Sequence, residues 1–171
     1  KFLFHHKTAL IAPAYSKAEF SYKDFKPVAQ FGSTPFVYVV HKDAPYNTLS
    51  DMLKVAETKK LKVGTVPGST IDVVNALVIE ASGLNDPFIL VNAGGGSQRL
   101  QLILGKQLDA SPFSVAEYLQ YKTQDIKAIA VMDEKRDPML PDLSTGVEQG
   151  VDAVFSQTHC LLAPKDTPDA I

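Results

Sequence analysis

The sequence predicts an α/β domain: a mostly parallel sheet flanked by helices. Three observations carry that expectation. Short apolar runs with strand character recur between residues 35 and 131. Between them lie stretches whose apolar residues repeat at helical spacing, so strands and helices alternate, the order that builds βαβ units with right-handed crossovers. The chain has 171 residues, 45% hydrophobic and 21% charged, enough for one domain with a real core or for one domain plus part of another.

Taken in order, the chain opens with two apolar patches, residues 2–4 and 9–11, separated by His5, His6 and Lys7; a strand is expected for at least one. An apolar run broken by His-His-Lys is a poor secretion signal, and there is no initiator Met, so the chain is expected to begin inside a longer protein. Residues 13–27 read as loop, and residues 27–30 as a short strand. Residues 35–40, Pro-Phe-Val-Tyr-Val-Val, are β-branched and aromatic and read as a strand.

Thr48 and Asp51 resemble a capping box ahead of Leu49, Met52, Leu53 and Ala56 on one helical face. Leu61, Val63 and Thr65 alternate with polar or small residues, a period of two. Pro67-Gly68 marks a turn, and Ser69 or Thr70 caps a helix carrying Ile71, Val74, Leu77, Val78 and Ala81 until Gly83 stops it. Residues 87–91 form the next strand, followed by Gly94-Gly95-Gly96 and a helix marked by Leu100, Ile103 and Leu104. Residues 108–111 read as a buried strand and the segment after Ser114 as a helix. Residues 126–131 read as a strand, 133–138 as a solvated loop, and 144–149 as a short helix ended by Gly150. Val154-Phe155 and residues 161–163 are late strands, and Pro164–Pro168 a loop opening another helix.

Composition excludes several functions. Seventeen Lys and Arg against 19 Asp and Glu give a formal net charge of −2, without the basic excess that nucleic-acid binding draws on. The single cysteine, Cys160, excludes an internal disulfide and a Cys-rich zinc site. No run reaches the ~18 apolar residues of a membrane-spanning helix. No metal site or cofactor is expected, and the scattered His5-His6 and His159-Cys160 read as structural neighbours whose side chains point to opposite faces of a strand.

The chemistry-bearing stretch is residues 65–70, Thr-Val-Pro-Gly-Ser-Thr. The first N–H groups of a helix have no intrahelical partner, and the dipole adds roughly half a positive charge there. A turn of small residues with two hydroxyls therefore suits a carboxylate or phosphate without any Arg or Lys. The turn alone reads equally as an ordinary capped connection. The glycines at 94–96 form a second loop of this kind. A Rossmann fingerprint requires a Gly where Arg99 stands, and a P-loop requires G-K-[ST], which is absent. In an open parallel sheet both loops lie at the carboxyl edge, where ligands bind. No nucleophile or acid–base pair stands out: there is no G-x-S-x-G, and Asp109 reads as a turn residue as readily as a site residue.

The order of these segments resembles the solute-binding proteins of tripartite tricarboxylate transporters, the Bug family. The matching pieces are Tyr22–Ala29 (YKDFKPVA), Pro35–Val40, Leu61–Thr65 with Gly68-Ser69-Thr70, Gly94–Gly96 leading to Leu104–Asp109 (LGKQLD), Ile126–Val131, Lys135–Thr145 (KRDPMLPDLST) and Leu162–Pro168 (LAPKDTP). The resemblance implies one lobe of a type II periplasmic binding protein, in which a small carboxylate is held by main-chain amides and hydroxyls and handed to a membrane permease. It implies no enzyme activity, a periplasmic location, and a secretion signal upstream of Lys1.

Residues 1–34 would be the remnant of lobe 1 and a linker, 35–160 lobe 2, and 161–171 the return hinge, with crossings at 36–40 and 160–163. By position, the ligand residues would be Thr65, Val66, Gly68, Ser69, Thr70, Ala93, Gly94, Gly95, Phe113 and Ser114. The chain departs from the family where Ala93-Gly94 replace a usual Tyr-Lys and Phe113 a usual Asp. With half the site, the chain is expected to bind weakly or not at all, and to expose hinge surface that supports a homodimer. The other readings are an α/β enzyme or a regulatory ligand-binding domain, recognising a phosphorylated or carboxylated small molecule.

Overall fold

In a computed structural model the described residues are 2–6 and 20–168. The expectations at residues 9–11, at 13–19 and for a helix beyond Pro168 lie outside them. Strand β1 is Leu3–His6, and β2 runs from Phe25 to His41 after a 3-10 turn at Tyr22–Asp24. There follow α1 (Leu49–Ala56), β3 (Leu61–Thr65), α2 (Thr70–Ser82), β4 (Phe88–Asn92), α3 (Gly96–Leu104), β5 (Ala110–Ser114), α4 (Val115–Tyr121), β6 (Ile126–Val131), a 3-10 turn at Val147–Gln149, and β7 (Ser156–Pro164).

The α/β class holds, and the sheet is mixed. Strand β3 pairs parallel to β4 and to β5, as the crossover helices require. Strand β2 is inserted antiparallel, with β5 on one side of residues 36–41 and β6 on the other. β5 and β6 still share a direction, so helix α4 carries the chain across β2 rather than to an adjacent strand. β–α alternation determines the sense of linked strands. It does not reveal a strand that enters from earlier in the chain.

β2 is also longer than the sequence suggests. Its first half, Phe25 to Pro35, ladders with β7 from Pro164 back to Ser156, and β7 pairs in turn with β1. Register shifts at Pro27/Ala29 and Gln30/Ser33 accommodate Pro27 and the positive-φ Gly32, which is how proline is tolerated in a paired strand. This ladder is solvent-facing and carries Phe4, Val28 and Phe31 exposed. Val154 and Phe155 precede β7 as irregular chain, Phe155 packing near Phe36.

Residues 36–40 are the centre of the core. Side chains alternate across a strand, and the two faces of β2 feed two clusters. Phe36, Tyr38 and Val40 pack with Leu49, Met52 and Leu53 of α1 and Ile71, Val74 and Val78 of α2. Val37 and Val39 pack with Leu100 and Ile103 of α3 and Val115 of α4. Helices thus cover both faces. The carboxyl ends of β5, β3 and β4 lie side by side and open into the turns before α4, α2 and α3.

Candidate functional site

The turn from β3 to α2 is built as its residues predict. Gly68 has φ +72°, a conformation that favours glycine, and Ser69 caps the helix by accepting from Ile71 N–H at 3.2 Å. Gly83 closes the far end at φ +65°. Asp72 completes the turn: its carboxylate accepts from Thr65 Oγ1 at 2.9 Å and from Gly68 N–H at 3.2 Å. A carboxylate in the first turn also suits the helix dipole.

The turn from β4 to α3 is more open. Gly94 has φ +63°, and Gly95 takes the N-cap position with no side-chain cap, so the first amides of α3 meet no capping hydroxyl. At the end of β5, Ser114 and Glu117 form a reciprocal capping box: Glu117 Oε2 accepts from Ser114 N–H and from Ser114 Oγ, both at 3.1 Å, while Ser114 Oγ accepts from Glu117 N–H at 3.2 Å. The free end of that carboxylate lies over Gly96, where an added Cβ would collide with it, so Glu117 partly screens the α3 mouth.

The two helix mouths face the same space. An open cavity of about 630 Å³ is lined by Val66, Ser69, Thr70 and Ile71 on one side and by Gly94, Gly95, Gly96, Ser114 and Glu117 on the other. Six of the residues expected from the sequence therefore meet there: Val66, Ser69, Thr70, Gly94, Gly95 and Ser114. Four do not. Thr65 is buried, with its hydroxyl given to Asp72, and the Gly68 amide is taken by the same carboxylate. Ala93 is core, its N–H bonded to Thr65 O at 3.0 Å. Phe113 is fully buried beneath the site rather than flanking it.

Other lining residues escaped sequence reasoning. Thr34, Gln157 and His159 form a wall supplied by the β2–β7 ladder, where Thr34 pairs with Gln157, and Phe36 of β2, paired to Ser114, adjoins it. Gln157 Oε1 accepts from Thr70 Oγ1 at 3.4 Å, and His159 stacks on Phe4 at 5.9 Å. Such pairing joins residues far apart in sequence and leaves no local signal.

The expectation of a site without cations is corrected by Arg99. Its residue is 2% exposed and lines the cavity. The guanidinium lies 4.8 Å above the Phe113 ring, and Nη1 donates to Gly94 O at 2.9 Å. Nη2 stands 3.7 Å from Glu117 Oε1, an ion pair longer than a hydrogen bond. Burial pulls the Arg99 guanidinium below its ordinary pKa, and Glu117 opposes that shift. The signal was present: Arg99 shares the inward face of its helix with Leu100 and Ile103.

Among the described residues no group of three or more His, Cys, Asp or Glu is placed to hold a metal ion, and no helix is long and apolar enough to cross a membrane. The family model described as the tripartite tricarboxylate transporter family receptor matches residues 3–171. The chain belongs to that family. A UPF0065 protein of Agrobacterium vitis, from the TAR-I ttuE-ttuC' intergenic region, is 29% identical over 175 residues, covering 99% of this chain and 50% of its own length.

Two solved structures show the same fold. The periplasmic binding protein BugD superposes with TM-score 0.83 at 26% identity, covering 99% of this chain and 58% of BugD. Malate-bound MatC from Rhodopseudomonas palustris superposes with TM-score 0.82 at 21% identity, covering 99% of this chain and 60% of MatC. The chain spans about half the length of the curated relatives it matches.

Proposed function

We propose that this chain is the ligand-binding second lobe of a periplasmic receptor that captures a small carboxylate and presents it to the permease of a tripartite tricarboxylate-type transporter. One observation carries the reading: in a member of the receptor family, the mouths of α2 and α3 open onto a single cavity of about 630 Å³. Helix N-termini converging on one space favour an anion. Malate, held by the MatC structure, is a ligand of that class.

In this reading residues 35–160 are lobe 2, and residues 1–34 and 161–171 belong to lobe 1 and its links. The crossings between lobes are residues 36–40 and 160–163, which lie on β2 and β7, the two strands that ladder together at residues 25–35 and 156–164. Closure of a facing lobe excludes water and strengthens each hydrogen bond to the ligand. The receptor binds and releases its ligand unchanged, as a transport component rather than an enzyme.

The test is ligand-observed saturation-transfer NMR on this chain with L-malate and with its neutral diamide. Saturable, weak binding of malate alone is expected, because one lobe supplies one side of the site. Equal signals for the diamide, or none for malate, would refute an anion site. Micromolar affinity would refute the two-lobed division.

A further inference from the structure

We propose that Arg99 is the specificity-determining anchor of the cavity, and that a ligand carboxylate takes the place of Glu117 as its counter-ion. The proposal rests on the carboxylate-receptor reading and adds the side chain that selects the charged end of the ligand.

Arg99 is an under-compensated buried cation. A guanidinium has five N–H donors in a rigid fork. Here one hydrogen bond is made among the described residues, from Nη1 to Gly94 O. Arg99 Nε is buried and has no acceptor among the described residues. The ion pair to Glu117 is 3.7 Å long, with Arg99 3% and Glu117 36% exposed in their side chains. A buried charge needs close pairing and full hydrogen bonding to offset its lost hydration. This one has neither, yet it lines the space into which the α2 and α3 mouths open.

A purely structural role explains the placement poorly. Arg99 sits one turn from the start of α3, where a cation opposes the helix dipole and an acidic residue would stabilise. Its contacts instead hold it ready. The Phe113 ring supports the flat of the guanidinium, and Gly94 O orients it. Glu117 is the weak partner. Its other oxygen is committed to Ser114, so it cannot approach Arg99 without giving up the α4 cap. An arriving carboxylate can offer two oxygens to the fork, a geometry Glu117 lacks. The chemical class selected is therefore an anion with a planar, bidentate carboxylate.

The experiment follows the side-chain Nε–H resonance of Arg99 and the backbone amides of Ser69, Thr70 and Gly96 while the chain is titrated with L-malate at constant ionic strength. A saturable shift of the Arg99 resonance, tracking the three amides with one dissociation constant, is expected. E117Q keeps the cap, since the amide oxygen accepts the same Ser114 bonds, and removes the competing charge; it is expected to bind malate severalfold more tightly. R99K is expected to bind roughly tenfold or more weakly, the size of a lost charge-assisted hydrogen bond. Shifts at the amides with none at Arg99 would overturn the anchor and leave the carboxylate site standing. No shift anywhere would overturn both. An E117Q chain that binds malate no more tightly than the parent would overturn the exchange of counter-ions.

Discussion

Tyr38 Oη donates to Asn75 Oδ1 at 2.6 Å, and Asn75 Nδ2 donates to Gly64 O at 3.1 Å. Both side chains are fully buried. This polar link ties α2 to the central strand β2 and to β3, and so sets the angle at which the α2 mouth meets the cavity. N75A removes both bonds and strands the Tyr38 hydroxyl. The expected cost is about 1–3 kcal/mol, a fall of roughly 2–12 °C in melting temperature for a domain of this size. Thermal unfolding followed by circular dichroism checks it. Y38F with N75A should cost less than the sum of the single changes, because they share one bond.

Gln149 caps α1 from a distance. Its Oε1 accepts from Leu49 N–H at 2.7 Å while Nε2 donates to Ile129 O at 2.9 Å and Ser144 Oγ at 2.7 Å. Q149A leaves the Ile129 carbonyl without this donor and opens the first turn of α1. A loss of about 1–3 kcal/mol is expected, against about 1 kcal/mol for removing the local cap with T48A. Urea unfolding midpoints of the two variants should rank in that order.

Gly64 is held by close approach. A Cβ at this position would stand 2.9 Å from both Leu108 Cδ1 and Ser111 Oγ, inside the packed interior. G64A is expected to destabilise by about 1–3 kcal/mol through overpacking. Urea unfolding at neutral pH measures it, and an unchanged midpoint would show that Leu108 moves aside freely.

Alkaline pH should expose the buried phenols of Tyr38 and Tyr46. Burial, with a smaller contribution from Asp109, pushes Tyr46 up to about 12, and burial pushes Tyr38 further in the same direction. The folded state therefore holds these protons after the unfolded chain has released them near pH 10. The stabilisation is fully present below pH 10 and is lost as pH rises through the folded values. Ultraviolet titration should find Tyr38 and Tyr46 still un-ionised until the chain unfolds above pH 10.

Local order was legible where local physics decides it. The Thr48 and Ser69 caps, the Gly83 stop and the strands at residues 61–65 and 126–131 all stand where periodicity and capping chemistry place them. Six residues that line the cavity could be named for the same reason: a helix start announces its free amides. Thr65 and Gly68 do not line the cavity because Asp72 reaches back to take their donors, a choice made only when the turn closes. Arg99 stands where a glycine fingerprint would end, but the helical face it shares with Ile103 is what carries it into the interior.

The amino-acid sequence by itself determined the alternating strands and helices between residues 35 and 131, which of their ends present unpaired amides, and the family to which that order belongs. The tertiary structure alone decided that β2 enters the sheet antiparallel, that its first half joins β7 to wall the cavity, and that a buried guanidinium faces the helix mouths. Spacing along a chain encodes interactions within about one helical turn or one strand. Pairing between Thr34 and Gln157, or burial of Arg99 over Phe113, depends on surfaces that exist only once the layers have packed.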